Sequence, residues 1–365
     1  MQRIMICNTY FQLIISLQLS FTLFNGDKIT IIITDKTPNT KFPAQKLEDL
    51  HIVDKVLYRE TKAYCGKRDV WRDKLQDICD IVFGNSKFSD ITDVFYDEII
   101  YFNYDLFAMV LFAALYKKNK KIMCSRFEEG ILSYNSKVPR YLKYEVGEFL
   151  RHLLLKKSLW EKTEQMYFCN PTLYEGTLKA VEIPKIKLDG PMGGILKHLF
   201  NLNKESLKYE NGYVYFSSVY DFEGGESINE IEAVRHIRNI VGNDDLLVKI
   251  HPRDTRDVYR KEGFHIDRNS AIPWEAIQLN TDCSGITFIT ATSCSTLSIN
   301  MLLDPMPKTV FVYPCCKLEG NEFAVKTAES VEKLLANPNF KRIAKAVHVV
   351  YSFDELHTVL QRDNK

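Results

Sequence analysis

Three short segments place titratable or hydroxyl side chains directly after an apolar run, and each combination suits a definite chemistry. Cys124-Ser125-Arg126-Phe127-Glu128-Glu129-Gly130 ends in two adjacent carboxylates and a glycine. A carboxylate close to a second one can have a raised pKa and act as a base toward a substrate hydroxyl. The same residues also suit a polar turn with Gly130 at positive φ. The second segment, Leu246-Leu247-Val248-Lys249-Ile250-His251-Pro252-Arg253-Asp254, ends in a His-Pro pair flanked by cations. Pro252 biases His251 toward extended backbone, so the imidazole leaves the strand end at a fixed place. It can donate to a phosphate or protonate a leaving group. Lys249 and Arg253 add positive potential, Arg253 by a two-pronged contact; the alternative is a histidine bonded to a neighbouring loop. The third segment, Ile286 to Leu297, runs into Thr292-Ser293-Cys294-Ser295-Thr296 at the start of an apolar helix. Hydroxyls and free backbone N–H groups at a helix start suit a phosphate, or a simple N-cap.

These segments need strands to carry them, and the chain supplies short apolar runs alternating with helical patterns, the mark of βαβ units around parallel sheets. Strands are expected at Arg3–Cys7, Lys28–Thr34, Lys55–Arg59, Glu98–Phe102, Lys121–Ser125 and Gln165–Cys169. Helices are expected at Phe11–Phe24, Trp71–Phe83, Leu106–Lys118 and Tyr141–Trp160. Pro184, Gly190, Pro191, Gly193 and Gly194 break the rhythm between Pro171 and Lys204. The pattern restarts with strands Tyr213–Ser217, Asp245–Ile250, Ile286–Thr290 and Thr309–Tyr313, and with helices Ile228–Val241 and one from about Ser295. The expected organisation is an N-terminal domain over 1–180, a linker over 181–208 and a C-terminal domain over 209–365. A cleft between them would hold ligand beyond the carboxyl ends of the strands.

Composition narrows the function classes. With 365 residues, 45% hydrophobic, the chain exceeds one compact core. Lys+Arg of 48 against Asp+Glu of 47 gives a net charge of +1 and no global case for a nucleic-acid partner. Nine cysteines form no CxxC pair or zinc spacing, which fits a reducing cytoplasm better than a disulfide framework. No signal peptide is expected, and the apolar stretch Leu106 to Tyr116 is too short to span a bilayer. Asp254-Thr255-Arg256-Asp257 has the wrong spacing for a DxD metal site, and Asp244-Asp245 reads as a turn. Asp221, Glu223 and Glu226 around Gly224-Gly225 offer either a mobile surface loop, a lid or a competing base. Basic residues at Lys117–Lys121 and along Arg151–Lys162, with Leu153 to Leu155, Leu159 and Trp160, suit either a solvated helix face or peripheral contact with an anionic membrane.

In order and spacing the three segments resemble the motifs of bacterial two-domain sialyltransferases of the GT-B type: a D/E-D/E-G motif, an H-P motif and a paired-serine motif. Here these are Glu128-Glu129-Gly130, His251-Pro252 and Ser293-Cys294-Ser295-Thr296. Cys7-Asn8-Thr9-Tyr10-Phe11-Gln12-Leu13 also looks like the opening of glycosyltransferase family 52 and related capsule and lipooligosaccharide enzymes. The resemblance implies two Rossmann-like domains with a central cleft. It implies an inverting, metal-independent transfer from CMP-sialic acid to a galactose-type hydroxyl of a bacterial surface glycan. Glu128 would be the general base, with Glu129 as the alternative, and His251 the acid or phosphate partner of the departing CMP. Lys249, Pro252, Arg253, Ser293, Cys294, Ser295 and Thr296 would line the donor phosphate. Asn8, Tyr10, Gln12 and Arg126, with Ser133 and Tyr134, stand at strand ends where an acceptor would bind. Cys294 interrupts the serine pair, and two glutamates stand where an aspartate is common. Related readings are transfer from another nucleotide sugar and a non-catalytic carbohydrate-binding relative.

Overall fold

The computed structural model describes residues 1–61, 71–83, 88–134, 149–150, 152–153, 158–205, 207–210, 212–218, 227–254, 256–303 and 307–361. It divides into two compact units, Met1–Glu129 with Ser133–Pro184, and Gly130–Leu132 with Lys185–Lys365.

Unit 1 is built on seven strands: β1 (Gln2–Cys7), β2 (Lys28–Thr34), β3 (Lys55–Arg59), β4 (Glu98–Tyr101), β5 (Met123–Phe127), β6 (Thr163–Phe168) and β7 (Lys179–Glu182). All pair in parallel in the order β3-β2-β1-β4-β5-β6-β7. The continuous isoleucine run of β2 is buried beyond its first residue, as strands covered on both faces must be. Helix Leu106–Lys118 is buried from Leu106 to Tyr116. Its uninterrupted apolar sequence therefore serves a protein interior. Asp105 caps its first turn by accepting from the Ala108 N–H at 2.9 Å, and Lys117 and Lys118 close its last turn, where a cation meets the negative helix end.

Unit 2 carries six parallel strands: β8 (Tyr213–Phe216), β9 (Leu246–Lys249), β10 (His265–Ile266), β11 (Thr287–Thr290), β12 (Thr309–Phe311) and β13 (Val347–Val349). Their order is β10-β9-β8-β11-β12-β13. One face is closed by helices Glu230–Val241 and Phe353–Gln361, whose Val234, Ile237, Leu356 and Leu360 share a core with Tyr215, Val248 and Val310. The expectation of two Rossmann-like α/β domains holds. In each sheet the order reverses at one point, between β1 and β4 in unit 1 and between β8 and β11 in unit 2. Ligands of open α/β sheets bind outside the carboxyl ends of the strands at such points.

Two local differences from the sequence reading matter. β5 begins at Met123, two residues later than expected, because a turn at Asn119 uses the Lys121 and Ile122 N–H groups. That shift keeps Arg126 in the strand and puts Glu128 directly after it. The segment from Pro171 to Lys204, where no period was visible, holds β7 and a helix at Pro191–Leu199. Gly193 hides the helical pattern, since a Cβ there would lie 3.0 Å from the Leu279 carbonyl oxygen. Most of the helix expected at Tyr141–Trp160, and the acidic loop with Asp221, Glu223 and Glu226, lie outside the described residues. Among the described residues no helix is long and apolar enough to cross a membrane.

Candidate active site

In unit 1 the reversal point is closed by side chains. Asn8, just after β1, donates from Nδ2 to Asn103 Oδ1 at 2.7 Å, just beyond β4. Asn8 also accepts from Thr34 Oγ1 at 2.8 Å, and its carbonyl accepts from Thr37 Oγ1 at 2.9 Å. Next to it starts helix Tyr10–Phe21, capped by Thr9, whose hydroxyl accepts from the Gln12 N–H at 3.2 Å. Gln12 is fully buried; its Oε1 accepts from the Asn8 N–H at 2.7 Å, while its Nε2 donates to Glu129 Oε2. Thr9 Oγ1 donates to the other Glu129 oxygen at 2.7 Å, and the Glu129 N–H donates to Ser133 Oγ at 2.7 Å. The half-buried Glu129 carboxylate is thus held at the positive end of a helix, at the carboxyl edge of the sheet.

Glu128 differs completely. Strand alternation sends it to the opposite side, where it has no exposed surface. Its Oε2 accepts from Tyr134 OH and from the Cys169 N–H at 3.0 Å, and its Oε1 has no hydrogen-bond partner among the described residues. Burial pushes its pKa up, opposed by those two donors. Tyr10, buried except for its edge, donates to the Pro38 carbonyl at 3.2 Å. Arg126 is buried beside the strand ends and donates to the Phe102 carbonyl through Nε and Nη2 at 3.2 and 2.9 Å.

The reversal point of unit 2 is closed in the same way. Ser218, beyond β8, and Thr292, beyond β11, share a hydroxyl contact at 3.2 Å, while Thr290 Oγ1 donates to the Phe216 carbonyl at 3.0 Å. From β9, the His251 N–H donates to Ser217 Oγ at 2.9 Å. The Arg253 N–H donates to His251 Nδ1 at 3.1 Å, which fixes the tautomer with the proton on Nε2. Burial, with the Arg253 and Lys249 cations nearby, pushes the imidazole pKa down to about 4, against the pull of Asp254. His251 is therefore a neutral N–H donor near pH 7.

Helix Ser295–Leu302 starts beyond β11, two strands from β9. Ser293 and Ser295 show surface, while the Thr296 hydroxyl is buried and donates to the Ser293 carbonyl at 3.3 Å. Thr296 thus closes the turn, and Cys294 accepts the Leu297 and Ser298 N–H groups on its carbonyl at 3.1 and 3.0 Å. The Ser295 and Thr296 N–H groups donate to no acceptor among the described residues. Gly130, at φ +95, packs here: a Cβ on it would lie 3.1 Å from Ser298 Oγ and 3.7 Å from Cys294 Cβ.

Lys249 was expected to face a donor phosphate, but its buried ammonium donates at 2.8 Å to the carbonyls of Asn269 and Ile272 and sits 3.4 Å from Asp267. It organises the loop after β10. Two buried carboxylates at this edge escaped the sequence reading. Glu230 accepts from Tyr259 OH at 2.7 Å, Tyr215 OH at 3.1 Å and the Ser218 N–H, and burial raises its pKa to about 7. Glu275, raised by burial to about 6, lies near Lys249. Neither carries a local signal, since a glutamate in a first helical turn is ordinarily solvated. Among the described residues no cluster of three His, Cys, Asp or Glu could hold a metal ion.

Neither a protein-family model nor a curated protein matches the sequence. Solved structures do match along the whole chain. A putative UDP-N-acetylglucosamine 2-epimerase from Listeria monocytogenes is 12% identical, with 99% of this chain and 94% of that one covered at a TM-score of 0.50. UGT89C1 of Arabidopsis thaliana in complex with UDP is 13% identical, with 100% and 90% covered at 0.50. An α/β-galactoside α-2,3-sialyltransferase from Photobacterium phosphoreum is 11% identical, with 95% and 98% covered at 0.49. At these identities the two likenesses at 0.50 establish the fold alone, which is the two-domain fold of the GT-B glycosyltransferases.

Proposed function

We propose that the chain is an inverting sialyltransferase that moves sialic acid from CMP-sialic acid to a hydroxyl of a bacterial surface glycan. The observation that carries the reading is the donor array of unit 2. His251 presents a neutral Nε2–H beyond β9, and beyond β11 stand the hydroxyls of Ser293 and Ser295 and the open N–H groups of Ser295 and Thr296. That array suits one phosphate, the leaving group of a nucleoside monophosphate sugar. The motif resemblance supports CMP as the nucleotide. Pro252 fixes the His251 backbone, and the Arg253 N–H fixes its tautomer.

Glu129 is the better general base, since its carboxylate is positioned by Thr9 and Gln12 at the sheet edge whereas Glu128 has no surface to offer a substrate. In the reaction, a Glu129 oxygen takes the proton of the acceptor hydroxyl as the acceptor oxygen bonds to the anomeric carbon. The bond from that carbon to the phosphate oxygen breaks, and CMP leaves with the electron pair, its new charge met by His251 and the helix start. Attack opposite to departure inverts the anomeric centre. Asn8, Gln12 and Thr9 build the frame of the acceptor side, with Tyr10 and Arg126 beside it. The cytoplasm supplies the donor, and acceptors on lipid carriers would be met at the inner face of the membrane.

The test is CMP release from CMP-sialic acid with a galactoside acceptor, in the wild type, Glu129→Gln and His251→Ala. Both variants should lose transfer. Wild-type turnover of a UDP- or GDP-sugar in place of CMP-sialic acid would keep the glycosyltransferase and refute the donor.

A further inference from the structure

We propose that Arg126 binds an anionic group on the acceptor, so that the sugar receiving the transfer carries a carboxylate or phosphate. The proposal rests on the reading of unit 1 as the acceptor side. Among the described residues three cations are buried: Arg3, Arg126 and Lys249. Arg3 is paired with Asp27 and Glu98, and Lys249 with Asp267. Arg126 pairs with no carboxylate among the described residues. Its only hydrogen-bond partner there is the Phe102 carbonyl, and its guanidinium lies over the Phe102 ring, 4.9 Å from the centroid.

A guanidinium stays charged under any ordinary conditions, and burying that charge without a counter-charge costs several kcal/mol. Chains rarely keep such a residue in a core, where an apolar side chain would stack on Phe102 as well. The position shows what it serves. Arg126 is paired in register with Tyr101, the last residue of β4, and stands three residues before Glu129. Its guanidinium reaches the Phe102 carbonyl just beyond β4 at the carboxyl edge, one residue before Asn103, which bonds Asn8 at the reversal point. A carbonyl occupies only part of its planar set of N–H donors. The fork that remains matches the paired oxygens of a carboxylate or phosphate, which would also supply the missing charge.

Calorimetric titration of the full chain with lactose, 3′-sialyllactose and galactose 6-phosphate tests this without any donor. The wild type should bind at least one of the two anionic probes about 10- to 100-fold more tightly than lactose, the range of one charge-assisted contact. The stronger of the two identifies the anion as carboxylate or phosphate. Arg126→Gln should remove the preference, and Arg126→Lys, which keeps the charge but not the fork, should retain a smaller one. Equal affinity for all three probes in the wild type, or no binding of any, overturns the proposal. So does an Arg126→Gln protein that weakens lactose and the anionic probes alike, as a clamp on Phe102 would. If that variant does not fold, the wild-type preference and its reduction in Arg126→Lys decide. An anionic preference in a protein that does not turn over CMP-sialic acid would refute the donor reading alone.

Discussion

Replacing His251 by Gln keeps an N–H donor and removes a group that the fold holds neutral. The imidazole pKa falls from an ordinary 6.5 to about 4 because the ring is buried near the Arg253 and Lys249 cations. At roughly 1.4 kcal/mol per pH unit, the fold opposes its protonation by about 3 kcal/mol. The folded pKa lies below the unfolded one, so the unfolded chain takes up the proton first as pH falls. This contribution to stability is complete above pH 6.5 and is lost as the pH drops toward 4. Urea unfolding at pH 7.5, 5.5 and 4.5 should show the wild type losing about 3 kcal/mol more than His251→Gln across that range. In turnover, a neutral donor gives no activity loss as pH rises through 6 to 7. His251→Gln should retain part of the rate, and His251→Ala should lose about 10- to 100-fold, one hydrogen bond to a developing charge. Parallel pH dependence of stability in wild type and His251→Gln would refute the neutral histidine. So would a wild-type rate that falls above pH 6 while that of His251→Gln stays flat, the mark of an imidazolium acid.

The two glutamates should separate cleanly. Glu129→Gln should cut transfer by about 10²- to 10⁴-fold, the worth of a general base, while Glu128→Gln keeps most activity and is read by its melting temperature. The reverse ranking would restore Glu128 as the base. Glu230 has a folded pKa of about 7 against an ordinary 4.5, so its ionisation disfavours the fold by about 3 kcal/mol once the pH exceeds 7. That cost is absent below pH 4.5, so Glu230→Gln should flatten the fall in melting temperature between pH 5 and 8, and equal slopes would contradict it. Gly130→Ala combines a strained φ of +95 with a Cβ 3.1 Å from Ser298 Oγ. It should lower stability by about 1–3 kcal/mol, and an unchanged melting temperature would count against the packing of this turn on the helix at Ser295.

Much of the framework was legible because burial leaves a plain record. Lys28–Thr34 and Leu106–Lys118 were read to the residue, being continuous apolar runs with polar ends. β10, with two residues, and β13, with three, are too short to carry a period. The carboxylate, His-Pro and serine motifs were found because polar residues after apolar strands stand out in sequence. The roles within them were not legible. Glu128 and Glu129 are neighbours in sequence, yet β5 sends one inward to Tyr134 and the other to Thr9 and Gln12. Lys249 is turned away from the strand end by carbonyls about 20 residues ahead, whose position only the fold determines. Glu230 depends on Tyr215 and Tyr259, one before it and one after, so no local pattern marks it.

The central claim is that unit 2 holds a cytidine monophosphate sugar, and thermal denaturation with CMP, UDP and GDP in parallel tests it most directly. Ligand bound only by the folded state raises its stability by about 2.7 kcal/mol at a hundredfold excess over its dissociation constant. CMP at millimolar concentration should raise the melting temperature, UDP and GDP should not, and His251→Ala should lose the response. Stabilisation by UDP or GDP without CMP, or by none of the three, would contradict the account.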